Sequence, residues 1–170
     1  MVEVRKLAMP FVRHIEAEAQ KLAVAMARYG DVAALEEAKR SAARMDPALT
    51  DECLPDGDSG AVVLQGLHAA AMAPGPTPPS WSEARREATA LWDATMLLLA
   101  SAMGRVFGWE NQQDGRLVHD IVPSKGQEHK QTSGSSVGML SPHTEDAFHP
   151  GRANLLVLGC VRNPDAVPTS

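Results

Sequence analysis

The sequence has no concentration of positive charge and few aromatic residues. Its 16 lysines and arginines stand against 21 acidic residues, and no run of basic residues is longer than two. Nucleic-acid binding requires a concentrated basic face. An aromatic fraction of 4% is also too low for base-stacking platforms. We therefore expect no nucleic acid among the partners.

Cysteines and long apolar runs are also scarce. Cys53 and Cys160 are far apart and form no CxxC motif, which excludes a thioredoxin-type motif, a zinc ribbon and a disulfide-dense secreted scaffold. No stretch approaches the roughly 18 apolar residues of a membrane span, and residues 1–10 contain no apolar run that suits a secretory signal. We expect no membrane contact, and a reducing cytoplasm is the simplest location.

The sequence does contain enough apolar residues for a core. A chain of 170 residues with 44% hydrophobic content predicts one globular domain over residues 1–170. Apolar residues at spacings of three and four predict a helical amino-terminal part over residues 1–50. Within it, Gly30 fits the end of one helix and Asp31 fits the cap of the next.

After a proline-rich connector, residues 73–80, the pattern changes from helical to extended. The connector leads into the strongest helical pattern, Trp81–Met103, and beyond Gly104 the apolar residues recur with a period of two. Helices followed by closely spaced strands predict an α+β fold with a sandwich or barrel. The predicted strands are Arg105–Trp109, Leu117–Val122, Ser135–Leu140 and Leu155–Val161, the last with Cys160 buried.

The segment richest in reactive side chains contains a histidine and a carboxylate two positions apart, His143 and Glu145. Such a pair shares a face only on an extended chain, because side chains alternate across a strand. On a helix the same spacing directs the two side chains roughly 200° apart. His14 and Glu16 have this spacing within a helical pattern, so we interpret them as surface residues. The later pair is the candidate metal site.

Spacing alone leaves alternatives open. Chance supplies on the order of 0.7 His-x-acid pairs in such a chain, and a strand-end histidine bonded to a nearby carboxylate is the simpler structural interpretation. As a metal site, one imidazole, one carboxylate and a further histidine would form the facial triad typical of Fe(II). A structural zinc prefers four closed ligands. No pattern selects a third ligand from His119, His129 and His149.

Several segments of the second half together carry a family resemblance. They are Gln112–Pro123, Gly134–Ser136, His143–Pro150 and Leu158–Ser170. With them, the stretch 111–170 resembles the clavaminate synthase-like iron/2-oxoglutarate oxygenases, above all the branch that hydroxylates free amino acids. The resemblance implies amino-terminal helices followed by a partial double-stranded β-helix (jelly roll), with residues 105–170 as part of its core. It covers the amino-terminal half of a family member, which implies a truncated domain.

The resemblance also implies a cofactor. His143 and Glu145 match the first two iron ligands of the family, and Thr169 or Ser170 lies near the hydroxyl that binds 2-oxoglutarate. The implied cofactor is Fe(II), with 2-oxoglutarate and O2 as cosubstrates. The distal histidine ligand and the 2-oxoglutarate-binding arginine of the family fall beyond the matched stretch. We therefore expect the chain to be inactive alone.

An amino-acid substrate follows from the same resemblance. Gln112 falls where the family has a glutamine that meets the substrate α-amino group, and Ser133 or Ser135 falls where a serine meets its carboxylate. The expected reaction is hydroxylation of the β-carbon of a free L-amino acid, arginine first and asparagine second. A self-associating or complementing chain is an expected partner. The alternative is a non-catalytic remnant or interaction module with an unspecific divalent-metal site.

Overall fold

The structure, a computed structural model, describes residues 2–67, 74–139 and 141–167. Strands β1 (Glu3–Lys6) and β2 (Val62–Gln65) form a two-stranded parallel sheet in which Glu3 lies opposite Val62. Single 3-10 turns occur at Trp81–Glu83 and Gln113–Gly115. No helix in the described ranges combines the length and apolarity needed to cross a bilayer. The elements in chain order are β1 (Glu3–Lys6), α1 (Met9–Ala42), α2 (Pro47–Cys53), β2 (Val62–Gln65) and α3 (Arg86–Met103).

The core lies where α1 packs against α3. Apolar residues spaced three and four apart share one face of a helix, and this face of α1 is fully covered. Ile15 of α1 and Leu98 of α3 are both 0% exposed. Burial of each such side chain contributes about 1.5–3 kcal/mol. The other buried apolar residues of these two helices are Val12, Ala19, Leu22, Met26, Ala34, Ala38, Ala94, Leu97 and Leu99.

Helix α1 consists of two helical sections that meet at Gly30. The backbone of Gly30 has φ 81° and ψ 167°, in the left-handed φ region that glycine adopts without steric cost. Oδ1 of the next residue, Asp31, accepts the backbone N–H of Val32 at 2.9 Å, at the start of the second section. The predicted break at Gly30 is confirmed, whereas Asp31 makes no hydrogen bond to the second or third N–H beyond it, as a helix cap would.

Helix α3 begins later than its pattern predicts. The helix starts at Arg86 rather than Trp81. Ser80 Oγ donates to the side chain of Glu83 at 3.0 Å, and it makes no capping contact with a backbone N–H. The segment after it therefore forms a single 3-10 turn. The carboxy-terminal end agrees with the prediction, since the helix stops at Met103.

The segments predicted as strands beyond α3 form no sheet in the described residues. The regions 105–109, 117–122, 135–139 and 155–161 are irregular or bent and have no ladder partners. A strand exists only where a neighbouring backbone completes its hydrogen bonds, and these regions have no such neighbour in the described chain. The α+β class is therefore supported by the helices and β1–β2. The described residues do not form the partial jelly roll expected over 105–170.

Asp31 joins the helical core to the segment that follows α3. Its Oδ2 accepts the backbone N–H groups of Leu117 at 2.8 Å and Val118 at 3.1 Å. The Arg86 guanidinium lies 3.9 Å from the same oxygen. Asp31 is only 3% exposed, and a buried carboxylate is tolerated when backbone donors and a cation satisfy it. One side chain at the break in α1 thus fixes a backbone segment 86 residues away.

A second buried ionic group centres on Arg116. Its Nη1 lies 2.7 Å from Oδ2 of Asp120, and its Nη2 lies 3.7 Å from Oδ2 of Asp93 in α3. Burial is the main cause that raises the pKa of Asp93, to about 6. The Asp120 carboxylate adds to this shift, and the Arg116 guanidinium opposes it. Asp93 is therefore an acid that the fold holds in an unfavourable environment when ionised.

We expect Asp31→Ala to lower the free energy of unfolding by about 3 kcal/mol, because three backbone N–H groups lose a charged acceptor. The measurement is urea denaturation followed by the helical circular dichroism signal. Asp46→Ala is the matched control. It removes an exposed cap from α2 and should cost about 1 kcal/mol. Equal losses for the two variants would contradict the linking role of Asp31.

We expect Asp93→Asn to gain stability relative to the wild type as the pH rises. The pKa of Asp93 is raised in the folded state, so the wild type loses stability between about pH 4 and pH 6, whereas the amide does not titrate. The difference in free energy of unfolding should shift by about 2–3 kcal/mol between pH 4 and pH 7.5. Denaturant titrations of both proteins at the two pH values measure it. A difference that is the same at both would be incompatible with a buried, poorly compensated Asp93.

Candidate functional site

The structure brings the side chains of His143 and Glu145 together. Nε2 of His143 lies 3.2 Å from Oε1 of Glu145. The backbone here is irregular: His143 lies outside any helix, strand or turn, and Glu145 begins the turn 145–148. The shared direction of the two side chains, predicted from a strand, thus arises without one. Two adjacent donors at about 2.1 Å from one metal ion lie roughly 3 Å apart, so the spacing suits a common ion.

The second nitrogen of His143 is held by the backbone. Nδ1 lies 2.8 Å from the carbonyl oxygen of Ser141. Because a carbonyl only accepts, Nδ1 carries a proton and donates. This bond leaves Nε2 as the atom that faces Glu145, the orientation that a metal-binding histidine requires. The Ser141 carbonyl and, after it, the Glu145 carboxylate raise the pKa of His143, and burial opposes them.

The pair is accessible, and it supplies two donors. The side chains of His143 and Glu145 are about half exposed. Residues 2–67, 74–139 and 141–167 contain no group of three or more His, Cys, Asp or Glu side chains placed to hold a metal. His149 forms no three-donor group with the pair, and its Nδ1 accepts the N–H of Gly151 at 3.0 Å. The described residues therefore fit part of a facial triad.

Trp109 anchors the turn that follows the pair. Its indole Nε1 donates to Oδ2 of Asp146 at 2.7 Å. Its ring packs edge-to-face against His149, with centroids 4.4 Å apart. These contacts fix both ends of the turn that begins at Glu145. This role of Trp109 is not predicted by the sequence, where its one signal is an aromatic residue outside any helical face.

Trp109 also contacts the segment of the candidate substrate residue. Its carbonyl oxygen accepts the backbone N–H of Gln112 at 3.0 Å. The Gln112 side chain is exposed and has no recorded hydrogen bond within the described chain. Its neighbour Gln113 makes two 2.9 Å hydrogen bonds to the backbone of Asp120. Of the two adjacent glutamines, Gln113 is structural and Gln112 keeps a free amide.

Of the two candidate serines, one is likewise used in structural hydrogen bonds and the other is not. The Ser135 hydroxyl lies 2.9 Å from the Glu128 carbonyl and 3.2 Å from the Gly138 carbonyl. Because a hydroxyl has one proton to donate, Ser135 is committed to holding its own loop. Ser133 is exposed, and no side-chain hydrogen bond is recorded for it among the described residues. Thr169 and Ser170 lie outside the described residues.

The pair and the other candidates are linked only indirectly. Within the described residues, no recorded contact joins the metal pair to Gln112, Ser133 or Ser135. The connection between the metal turn and Gln112 passes through Trp109, by way of its indole and its carbonyl. One aromatic residue, Trp109, is thus hydrogen-bonded both to the turn of the potential two-donor metal site and to the residue with the free amide.

Comparisons with known proteins place this arrangement in a class. No protein-family model matches the chain. The L-ornithine/L-arginine 3-hydroxylase of Catenulispora acidiphila is 42% identical over 107 residues, covering 62% of this chain and 31% of that protein. The L-asparagine oxygenase of Streptomyces coelicolor is 35% identical over 153 residues, covering 87% of this chain and 45% of that protein.

A solved structure agrees in fold. The non-heme iron oxygenase OrfP, crystallised with Fe and alpha-ketoglutaric acid, superposes with a TM-score of 0.82 and 34% identity, covering 97% of this chain and 54% of OrfP. The chain thus spans about half of OrfP and less than half of the two curated relatives.

These matches establish that the chain is related to the non-haem iron, 2-oxoglutarate-dependent oxygenases. More narrowly, its relatives are amino-acid hydroxylases. Clavaminate synthase 2 of Streptomyces clavuligerus also matches, with 29% identity over 132 residues. The resemblance to the clavaminate synthase-like family is confirmed.

We expect Trp109→Phe to weaken metal binding by His143 and Glu145 by about tenfold. Loss of a hydrogen bond that holds the surroundings of a metal ligand in place typically lowers metal affinity by about 10–100-fold. The substitution removes the indole N–H that holds Asp146 and keeps an aromatic ring. Titration with Mn²⁺, followed by electron paramagnetic resonance, measures the affinity. Trp81→Phe, in the 3-10 turn before α3, is the control and should bind as the wild type does. Equal affinities for all three proteins would show that the turn needs no anchor.

Proposed function

We propose that this chain carries part of the active site of an Fe(II)/2-oxoglutarate-dependent hydroxylase acting on the β-carbon of a free L-amino acid. The observation that carries the proposal is the 3.2 Å approach of His143 Nε2 to Glu145 Oε1 in a chain that resembles an iron oxygenase over 97% of its length. His143 and Glu145 would hold the metal as two ligands of the facial triad.

Arginine is the first substrate we propose and asparagine the second. OrfP has been crystallised with (3S)-hydroxy-L-Arg, whose hydroxyl lies on the β-carbon. Among the curated relatives are the L-ornithine/L-arginine 3-hydroxylase and the L-asparagine oxygenase. The free amide of Gln112 can accept from an α-ammonium group, and the exposed hydroxyl of Ser133 can donate to an α-carboxylate. Ser135 is the weaker candidate because its proton is already used.

Each residue has a separate task in this proposal. The Ser141 carbonyl keeps Nδ1 of His143 protonated, so that Nε2 is the atom offered to the metal. Glu145 supplies a carboxylate oxygen beside it, and Trp109 limits the movement of the turn. The bound iron, with 2-oxoglutarate and O2, supplies the oxidising chemistry that replaces a β-hydrogen by hydroxyl. Gln112 and Ser133 would orient the amino acid by its α-ammonium and α-carboxylate groups. Its side chain would be recognised by other residues.

We also propose that the 170-residue chain alone turns over no amino acid. The described residues offer two metal donors where a facial triad uses three. The same observation supports the second candidate function, an unspecific divalent-metal site without oxygenase chemistry. The two differ in whether 2-oxoglutarate and an amino acid are consumed.

A chimera tests the proposed function, with this chain in place of the matching part of OrfP. Incubated with Fe(II), 2-oxoglutarate and L-arginine or L-asparagine, it should form a hydroxyamino acid, detected by mass spectrometry. His143→Ala should lower the rate at least 100-fold, because loss of one of three ligands empties the site. The control is His14→Ala, a histidine with the same His-x-Glu spacing on α1, and it should retain full activity.

Each alternative has its own result in this experiment. A chimera that binds Mn²⁺ through His143 but consumes no 2-oxoglutarate would support the unspecific metal site. A chimera in which His143→Ala and His14→Ala behave alike would contradict the proposed role of the pair.

A further inference from the structure

The side-chain amide of Gln131 holds the chain just before the metal pair. Its Nε2 donates to the carbonyl oxygen of Met139 at 2.9 Å, and its Oε1 accepts the backbone N–H of Ser141 at 2.9 Å. A carboxamide presents a donor and an acceptor side by side, so one side chain pairs with both groups. Gln131 is itself exposed, so these hydrogen bonds, rather than packing, hold it in place. They fix the backbone that leads into His143.

The loop around this glutamine is closed by one carbonyl group. The carbonyl oxygen of Glu128 accepts the backbone N–H of Gly138 at 2.8 Å and the Ser135 hydroxyl at 2.9 Å. We call residues 128–138 the serine loop, because the candidate substrate residues Ser133 and Ser135 lie in it. The glutamine therefore extends from a loop whose own hydrogen bonds define its shape.

The constraint on Ser141 extends to its carbonyl group. Pro142 follows Ser141, and a proline ring restricts the backbone of the residue before it to a narrow range of conformations. With the N–H of Ser141 bound by Gln131, its carbonyl oxygen has little freedom to change direction. This oxygen lies 2.8 Å from Nδ1 of His143. The glutamine thus acts on the imidazole through a single intervening residue.

The contact with the Ser141 carbonyl decides which nitrogen of the neutral His143 ring carries the proton. With the proton on Nδ1, Nε2 keeps a free lone pair for a metal ion. The Glu145 carboxylate lies 3.2 Å from Nε2 and would accept a hydrogen bond from a proton placed there instead. A weaker contact with the Ser141 carbonyl therefore favours the tautomer in which Nε2 is protonated and binds no metal.

We propose that Gln131 is a positioning residue for His143, acting through the Ser141 carbonyl to keep Nε2 free for a metal ion. The proposal rests on the proposed function, because the metal belongs to that function. It gives the serine loop a second task. The loop that carries Ser133, a candidate contact of the substrate α-carboxylate, also orients a candidate iron ligand, so that one loop sets both positions.

The test compares the full 170-residue chain with Gln131→Met and with the control Gln20→Met. Methionine is similar to glutamine in length and lacks the amide donor and acceptor. Gln20 is an exposed residue of α1, so its substitution should leave every measurement at the wild-type value. Amide hydrogen exchange, followed by NMR, should be about tenfold faster at the Ser141 N–H in Gln131→Met, because this group loses its acceptor.

The tautomer of His143 is the decisive measurement. Nitrogen NMR of the imidazole, without metal and at a pH where the ring is neutral, distinguishes a proton on Nδ1 from one on Nε2. The proton should reside mainly on Nδ1 in the wild type and in Gln20→Met, and mainly on Nε2 in Gln131→Met. Faster exchange at Ser141 with an unchanged tautomer would overturn the proposal. An unchanged exchange rate would also overturn it, since Gln131 would then not hold Ser141.

Metal affinity connects the tautomer to the candidate site. Titration with Mn²⁺, followed by electron paramagnetic resonance, should show about tenfold weaker binding by Gln131→Met, at the lower end of the range for the hydrogen-bonded partners of metal ligands. Gln20→Met should bind as the wild type does. The helical circular dichroism signal of each variant shows that its fold is intact.

Failure of the positioning role and failure of the proposed function are distinguishable when His143→Ala is added to the titration. Weaker Mn²⁺ binding by His143→Ala but not by Gln131→Met would support the proposed function and overturn the positioning role. A tautomer that shifts in Gln131→Met, with Mn²⁺ binding that neither substitution changes, would support the action of Gln131 on the imidazole and contradict the proposed metal site.

Discussion

The buried carboxylate of Asp31 is the contact on which the relation between core and site depends. Helices α1 and α3 pack mainly through apolar faces. The segment beyond α3 places Val106, Leu117 and Val118 against this core, and Asp31 accepts the backbone N–H groups of Leu117 and Val118. Arg116 of the same segment lies 3.7 Å from Asp93 of α3. The position of the candidate site relative to the helical body therefore rests on Asp31 together with these neighbouring contacts.

Trp109 then connects this segment to two parts of the candidate site. Its backbone carbonyl holds Gln112, and its indole holds the turn that begins at Glu145. In a sheet, ladder hydrogen bonds between strands would fix the relative positions of these segments. Here, where the described residues beyond α3 form no sheet, an aromatic ring and a few side-chain hydrogen bonds replace the ladder. Such contacts fix specific residues and leave the backbone between them without a ladder.

Features that depend on interactions between residues close in sequence could be predicted from the sequence. The break at Gly30 was predictable because a left-handed glycine at the end of a helix is a local feature. The approach of His143 to Glu145 was predicted from strand alternation, and the pair does meet, although the bond from His143 to the Ser141 carbonyl, rather than a strand, orients it. That outcome depends on local geometry only.

The features that sequence reasoning missed depend on distant partners. The predicted strands beyond Gly104 have the right composition, but a strand forms only beside another backbone, and the pattern of one segment contains no information about its neighbour. The roles of Trp109 and Asp31 are equally non-local, with contacts across 37 and 86 residues. The sequence also offers no means of telling which of Gln112 and Gln113 keeps a free side-chain amide, because the position of Asp120 determines that Gln113 makes the structural hydrogen bonds.

The length of the loop closed by Asp31 has a consequence for cooperativity. A contact between near neighbours can survive when the rest of a protein opens, whereas a contact across 86 residues exists only while both of its sides are in place. Because Asp31 sits at the joint between the two sections of α1, an opening that separates those sections also breaks its contact with Leu117 and Val118. The helical core and the segment that leads to the candidate site are thus coupled through this carboxylate, so that a disturbance of the joint in α1 is transmitted to that segment.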